Sequence, residues 1–393
     1  MKEKSIFQSF IVLVSGLAVV AGVVFLGSFL FCAPSTQEID GNNLIFLQAF
    51  DRGRLVENLT LSDLEISAGE LLLEPEGLTF VKGLKLRRSE GVEIPSAVLP
   101  RVIILEVRGY EFHQKLGQMA EQLFLRPYSP SDVFSIVTPV GVYGFSPETL
   151  RSRLPEELMK AASTVLKRDL ATGGAVFLET FQELNRLIQE LQRGGSPRDI
   201  LRQYRQNLDN LNNFRKFNDQ TILLAAERFA KTRAIKHYVV IYQQEFVAIP
   251  GAEMMERLLA DQSVMFQASE LFRSISAEIS VEVEPLAEEA KRAGFLVDFI
   301  YFKVSPRPRP DMQMRELSTD MFELYSGLAR KVGGMVEVTS TPEAQLKRIL
   351  ESTENYYLIS CRLPEGVEDP RAIFSNAKVR LRNKNYQLNY FPL

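Results

Sequence analysis

The residues of this chain that could do chemistry gather in few places. At the end of the apolar run Val102-Ile103-Ile104-Leu105 stand a carboxylate, a cation and a glycine: Glu106, Arg108 and Gly109. Glu106 and Arg108 read either as an active pair or as a local ion pair capping a strand edge, and the second arrangement is the commoner. The chain holds two histidines and two cysteines, little material for zinc, a Cys/His pair or a disulfide framework. His113 opens a helical stretch as a solvated first-turn residue. His237 stands just before a strand-like run with no evident Ser or Asp partner. Cys361 alternates with apolar strand neighbours, the setting of a buried small side chain. Gly173-Gly174 and Gly333-Gly334 lack the Lys-Ser/Thr or G-x-G-x-x-G context of a phosphate loop and read as turns. With no nucleophile–base spacing in view, no catalytic residue is assigned, and only a carboxylate pair stays open.

Composition narrows the classes further. The 393 residues carry a net charge of −3 with 24% charged side chains, which is no nucleic-acid footprint. That length has room for two or three domains and an ample core. The N-terminus is the clearest physical signal. Lys2 and Lys4 precede an apolar run from Phe10 to Phe31, which rises about 33 Å as a helix, enough to cross a bilayer core. Bulky Phe29, Leu30 and Phe31 suit neither cleavage after Ala33 nor lipidation at Cys32. The expectation is therefore an uncleaved anchor at residues 1–35, with a cleaved leader or a lipoprotein as alternatives. The lysines stay on the cytoplasmic side, so the remainder faces the extracytoplasmic side of an inner membrane.

The elements that must position Glu106 and Arg108 follow from pattern. PRVIILEVRGY, Pro100 to Tyr110, reads as a strand buried on both faces, the centre of a parallel sheet. In open α/β sheets, ligands bind beyond the carboxyl ends of such strands. A helix from about His113 to Leu125 follows it. Before it, residues 36–98 read as a small β module of short strands with glycine punctuation. After it the chain alternates strand and helix: VFSIVTPVGVYGF as one strand, a helix from about Pro147 to Leu170, and another from Phe177 to Gln192. An inserted helical stretch spans 193–218, and a further helix runs from about Asp219 to Lys236. The strand HYVVIY, a loop QQEFVAIPG, the strand FLVDFIYFKV and the proline-rich loop SPRPRPD come next. Arg198, Arg202, Arg205, Arg215 and Lys216 give the insertion a basic tendency. That is either a solvated face or a contact for anionic headgroups or an acidic partner. The tail, 343–393, is a last helix and then β again. It is expected to pack with the first β module, with the α/β domain of 99–342 inserted between them.

With this alternation in place, the chain resembles the von Willebrand factor type A domain, and more narrowly the bacterial VWFA-related family. Asp51-Arg52-Gly53 with Val56 to Ile66 is similar to the family's opening turn and strand. PRVIILEV sits where the family has its first core strand, and YSPSDVFSIV, LARKVGGMVEV and ENYYLISCRLP resemble later segments. The resemblance implies a doubly wound, mostly parallel, Rossmann-like sheet flanked by β segments. It also implies a divalent cation such as Mg²⁺ at the sheet's carboxyl edge, held by an Asp-x-Ser-x-Ser loop, a threonine and an aspartate. Here those loops are degenerate. Glu106 stands for the aspartate, and Arg108 and Tyr110 occupy the serine positions. Thr172-Gly173-Gly174-Ala175 has lost the ligand threonine at Ala175, and Gln243-Gln244-Glu245 replaces Asp-Gly. A guanidinium brings fixed positive charge and no acceptor, so the expected cofactor is none. The expected function is a membrane-anchored protein-interaction or adhesion-type module, not an enzyme. It would offer Glu106, Arg108, Tyr110, Thr172 and Glu245 to a protein partner, with neither nucleic acid nor small-molecule substrate. The alternatives are a metal-dependent adhesin with an unusual ligand shell and a structural component of the cell envelope.

Overall fold

The computed structural model describes residues 44–392 except 53, 95–97, 130, 216, 218, 274, 276–281, 307–311, 363–372, 374–376 and 383–384. The apolar run 10–31, the turn glycine at 53 and the arginines at 307 and 309 lie outside the described residues. Among the described residues, no helix is long and apolar enough to cross a membrane.

Two main sheets organise the molecule. The first is built by strands from both ends of the described chain. β1 (Leu44–Asp51), β2 (Arg54–Leu55), β3 (Leu64–Ala68), β4 (Leu71–Lys82) and β5 (Lys85–Gly91) come from the N-terminal side. The turn before β3 closes on a capping box, with the Thr60 N–H donating to Asp63 Oδ2 at 2.9 Å. The second sheet is assembled next, from β6 (Arg101–Arg108), β7 (Val133–Val137), β8 (Val142–Phe145) and β9 (Ile235–Gln243). A two-stranded ribbon pairs β10 (Phe246–Pro250) with β12 (Met312–Glu316), while β11 (Phe295–Phe302) and β13 (Val336–Thr339) complete the second sheet. The chain then returns to the first sheet as β14 (Asn355–Arg362), β15 (Ala377–Leu381) and β16 (Gln387–Pro392). β1 lies between β14 and β16, so the two ends of the described chain share one antiparallel, eight-stranded sheet.

The second sheet runs β13-β11-β9-β6-β7-β8, parallel except for β8 at its edge. Numbered by appearance, that order is 3-2-1-4-5-6 with strand 3 reversed, the doubly wound arrangement. β6 is central, and its side chains alternate between two cores. Val102 and Ile104 face the helices Gln220–Phe229, Glu284–Arg292 and Thr319–Val332, and Ile103, Leu105 and Val107 face Gln114–Leu125, Pro155–Gly173 and Pro342–Ser352. Burying such a side chain is worth about 1.5–3 kcal/mol, and coverage on both faces is why β6 reads as an unbroken apolar run. A third core belongs to the helices Ala175–Gln192, Pro197–Phe214, Ala252–Ala260 and Met265–Arg273 with the β10–β12 ribbon.

The amino edge of the parallel sheet seats on the β module. Leu99, Ile235 and the partly buried Leu296 pack with Leu44, Phe46, Tyr356 and Phe391. Beside this seam Arg101, 1% exposed, binds Asp132 through Nη2 at 2.6 Å, and Glu354 bridges to Arg126 at 2.7 Å. The carboxyl edge therefore points away from the β module.

Several sequence expectations are corrected here. VFSIVTPVGVYGF is two antiparallel strands folded at Thr138–Gly141, not one. Pro155 ends one helix and starts another, so the expected 147–170 helix is split into Pro147–Ser152 and Pro155–Gly173. The helix expected to reach Lys236 stops at Phe229, and β9 begins at Ile235. QQEFVAIPG is not all loop, because Phe246–Pro250 pairs with Met312–Glu316. The pairing is invisible locally, since neither strand is longer than five residues and the partners are far apart in sequence.

Candidate functional site at the carboxyl edge

β6 and β9 flank the point where the strand order reverses, and their loops diverge above it. Glu106 and Arg108 are two positions apart on β6 and so share a face. Glu106 is 1% exposed. Its Oε1 accepts from the Arg108 guanidinium at 2.5 Å, and its Oε2 accepts from the Tyr238 hydroxyl of β9 at 2.7 Å. Both carboxylate oxygens are thus satisfied by chain groups. The Arg108 side chain is 24% exposed. Burial alone would lower its pKa, but the Glu106 carboxylate more than reverses this and holds it above the ordinary arginine value. Burial and the Glu106 carboxylate likewise push the Tyr238 hydroxyl well above its usual range.

Beyond β9 the chain turns through Gln243, Gln244 and Glu245. The Gln243 Oε1 accepts the backbone N–H groups of Tyr110 at 3.3 Å and Glu111 at 3.4 Å, which ties the loop after β6 to the end of β9. Tyr110 donates its hydroxyl to the Gln244 carbonyl at 3.2 Å and stacks on Phe177 with centroids 4.4 Å apart. Glu245, 7% exposed, accepts from Arg215 Nε at 2.6 Å, and its backbone N–H donates to Ser318 Oγ at 3.0 Å. Arg215 also reaches Asp320 at 2.5 Å and the Leu317 carbonyl at 2.8 Å. Burial raises the Glu245 pKa, and Arg215 offsets only part of the rise.

Thr172 lies apart from these groups. It is exposed in the last turn of Pro155–Gly173, with its hydroxyl donating to the Arg168 carbonyl at 3.0 Å. The glycines after it do reach the edge. A Cβ on Gly174 would stand 1.9 Å from the Tyr110 carbonyl oxygen, so only glycine lets the helix junction approach the loop after β6. The sequence placed Arg215 on a basic face, but it is 6% exposed. It sits at the C-cap of Pro197–Phe214, where helical periodicity no longer assigns a face. His237 is also corrected. It lies within β9, 3% exposed, with Nδ1 2.6 Å from Asp298 Oδ2 on β11. That pair sits toward the amino half of the sheet and is remote from the edge. His113 is the exposed N-cap of Gln114–Leu125.

Arg108, Tyr110, Gly174, Phe214 and Glu245 line one cleft of about 190 Å³. The Tyr110–Phe177 stack separates it from a second of about 350 Å³, which Glu111, Phe181 and Phe246 help to line. Val140, Val176 and Phe214 are exposed large apolar side chains: Phe214 lines the first cleft, Val140 stands beside its lining residue Gly173, and Val176 precedes its lining residue Phe177 in the helix. Sequence reasoning missed Tyr238 and Asp320 and the buried role of Arg215. A tyrosine hydroxyl within the buried strand β9 was the one local signal that a polar acceptor lay opposite.

A hard ion takes carboxylate oxygens as ligands; here the Glu106 oxygens accept from Arg108 and Tyr238, and Glu245 accepts from Arg215. Among the described residues, no group of three or more His, Cys, Asp or Glu could hold a metal ion.

No family model matches the chain, and no curated protein matches it. Among solved structures, it is similar to the conserved hypothetical protein BatB from Bacteroides thetaiotaomicron. That match has 10% identity and a TM-score of 0.29, covering 64% of this chain and 97% of that one. It is also similar to an aerotolerance-related membrane protein from Bacteroides fragilis, at 10% identity and a TM-score of 0.26, with the same coverages. A likeness of that extent carries no argument about function.

Proposed function

We propose that the protein is a membrane-anchored interaction module whose carboxyl-edge cleft docks a partner protein without a divalent cation. The observation that carries the reading is the pairing of the ionic groups below an apolar rim. Glu106 and Glu245 are bound by arginines, while Val140, Val176 and Phe214 stay exposed around them. Such a surface suits a protein contact with an apolar centre and one cationic group. Arg108 is the group left partly accessible. It takes a partner carboxylate by a charge-assisted bond, while Glu106 holds the guanidinium in place. The cleft edge opposes the β module, so an anchor on residues 1–35 leaves it facing outward on the extracytoplasmic side. No reaction, nucleic acid or small-molecule substrate is part of the proposal, and the von Willebrand A-type assignment is its structural frame.

Calorimetric titration of Mg²⁺ or Mn²⁺ into the full chain tests the cation-free claim. The expected trace is heat of dilution alone. A saturable one-site isotherm that disappears in Glu245→Gln would overturn it in favour of a metal-dependent adhesin.

A further inference from the structure

The β module carries its own surface. Strand register shows which end of its sheet meets the N-terminal segment. Leu44, the first residue of β1, pairs with Ser360, and Ser360 pairs with Gly77 of β4. β4 continues past that level toward its own N-terminus, through Pro75 opposite Cys361 and Glu74 opposite Arg362, to a hairpin with β3 in which Leu71 faces Ala68. Leu72 lies five positions beyond Gly77, roughly 17 Å at the rise of a strand. The hairpin thus overshoots the point where the N-terminal segment enters the fold.

Its tip is apolar and exposed among the described residues. Leu72 is 72% exposed and Leu71 44%, and Val92 is exposed at the same end, where its N–H donates to the Glu76 carbonyl. Gly69 makes the turn at φ 61°, with open space around it. The exposed acids Glu70, Glu74 and Glu93 outnumber the cations Arg362 and Lys378 nearby, so nothing in the local charge draws this end to an anionic surface. Twelve residues, 32–43, separate the apolar run from Leu44, a reach of at most about 40 Å. We propose that the Leu71–Leu72 tip is a second membrane contact, seating in the interface of a zwitterionic lipid surface beside the N-terminal anchor. The proposal rests on the anchor of the preceding reading and not on the cleft. Two leucines at an interface make a weak contact alone, and the short tether keeps them at high effective concentration.

The test uses the full chain in phosphatidylcholine vesicles containing a doxyl-labelled acyl chain. A fluorophore is placed through Leu72→Cys, or through Val338→Cys on the edge strand β13, in a Cys32→Ser background. Cys361 is buried, so the introduced thiol takes the label. The expected result is quenching several-fold stronger at position 72 than at 338, unchanged by added salt. Equal quenching at both positions on vesicle-bound chain overturns the proposal. So does emission at 72 that falls with protein density but ignores the doxyl lipid, because that marks a second copy. A chain that fails to sediment with vesicles removes the anchor, and this proposal with it.

Discussion

Arg108 binds Glu106 from two positions further along the same strand, and the pair is lopsided. The carboxylate is 1% exposed whereas the guanidinium side chain is 24% exposed. The buried partner is also held by Tyr238, so the edge is preorganised around a cation whose counter-charge cannot leave. Its neighbour, the Arg215–Glu245–Asp320 group, has the reverse geometry, with the arginine innermost between two carboxylates.

The first asymmetry sets an order of stabilities. Arg108→Ala leaves the Glu106 carboxylate buried with one neutral donor and is expected to cost about 3 kcal/mol, the low end for breaking a buried pair. Glu106→Gln leaves a cation that water reaches and should cost less. The double variant is expected to recover part of the sum, a coupling read by denaturant unfolding in a double-mutant cycle.

Arg215 joins the insertion to the sheet edge, so its loss strands two acids. Arg215→Ala is expected to destabilise by about 3–5 kcal/mol. Arg215→Lys should recover only part of this, because one ammonium cannot reproduce the forked contacts to Glu245, Asp320 and the Leu317 carbonyl. Urea midpoints measure both.

Glu245 also gives a pH dependence. Burial raises its folded pKa above the usual carboxylate value, with Arg215 offsetting part of the rise. Between the ordinary and the raised value the folded state binds more protons than the unfolded one. This group's contribution to stability is therefore present below the ordinary value and lost as pH rises through the raised one. Glu245→Gln should remove that fall, seen as a flatter plot of unfolding free energy against pH just above the carboxylate range.

The buried hydroxyls set the alkaline limit. Burial holds Tyr204, Tyr242, Tyr325 and Tyr356 above the ordinary tyrosine value. The stability they carry is present below about pH 10 and is lost as pH rises toward their folded values. The protein has no tryptophan, so tyrosinate absorbance is read without interference. A fraction of the signal is expected to appear only together with unfolding. Cys361, its thiol pushed up to about 12 by burial, should likewise stay unreactive to a thiol reagent until the chain unfolds.

The central strand and its two-sided burial were legible because Val102 to Leu105 is a continuous β-branched-rich run, and the strand–helix alternation followed from it. Two kinds of feature were hidden. Long-range pairs such as His237 with Asp298, 61 residues apart, leave no local trace. Residues at the end of an element, such as Arg215 at a helix C-cap and Thr172 in a last helical turn, are poorly placed by the periodicity that assigns faces. Glu106 and Arg108 do come together with Tyr238 and the turn after β9, but the exposure of the edge residues was not legible. Glu106 and Glu245 are buried, Thr172 stands aside, and the accessible surface comes from Arg108 and the apolar rim.

The most direct measurement is crosslinking and pull-down from intact membranes, comparing wild type with the rim variant Val176→Asp/Phe214→Asp, each with and without EDTA. Both substituted positions are exposed, so folding is not at stake. The prediction is a specific crosslinked protein that is lost from the rim variant and indifferent to EDTA. A partner released by EDTA, or one retained in full by the rim variant, would contradict a cation-free docking edge.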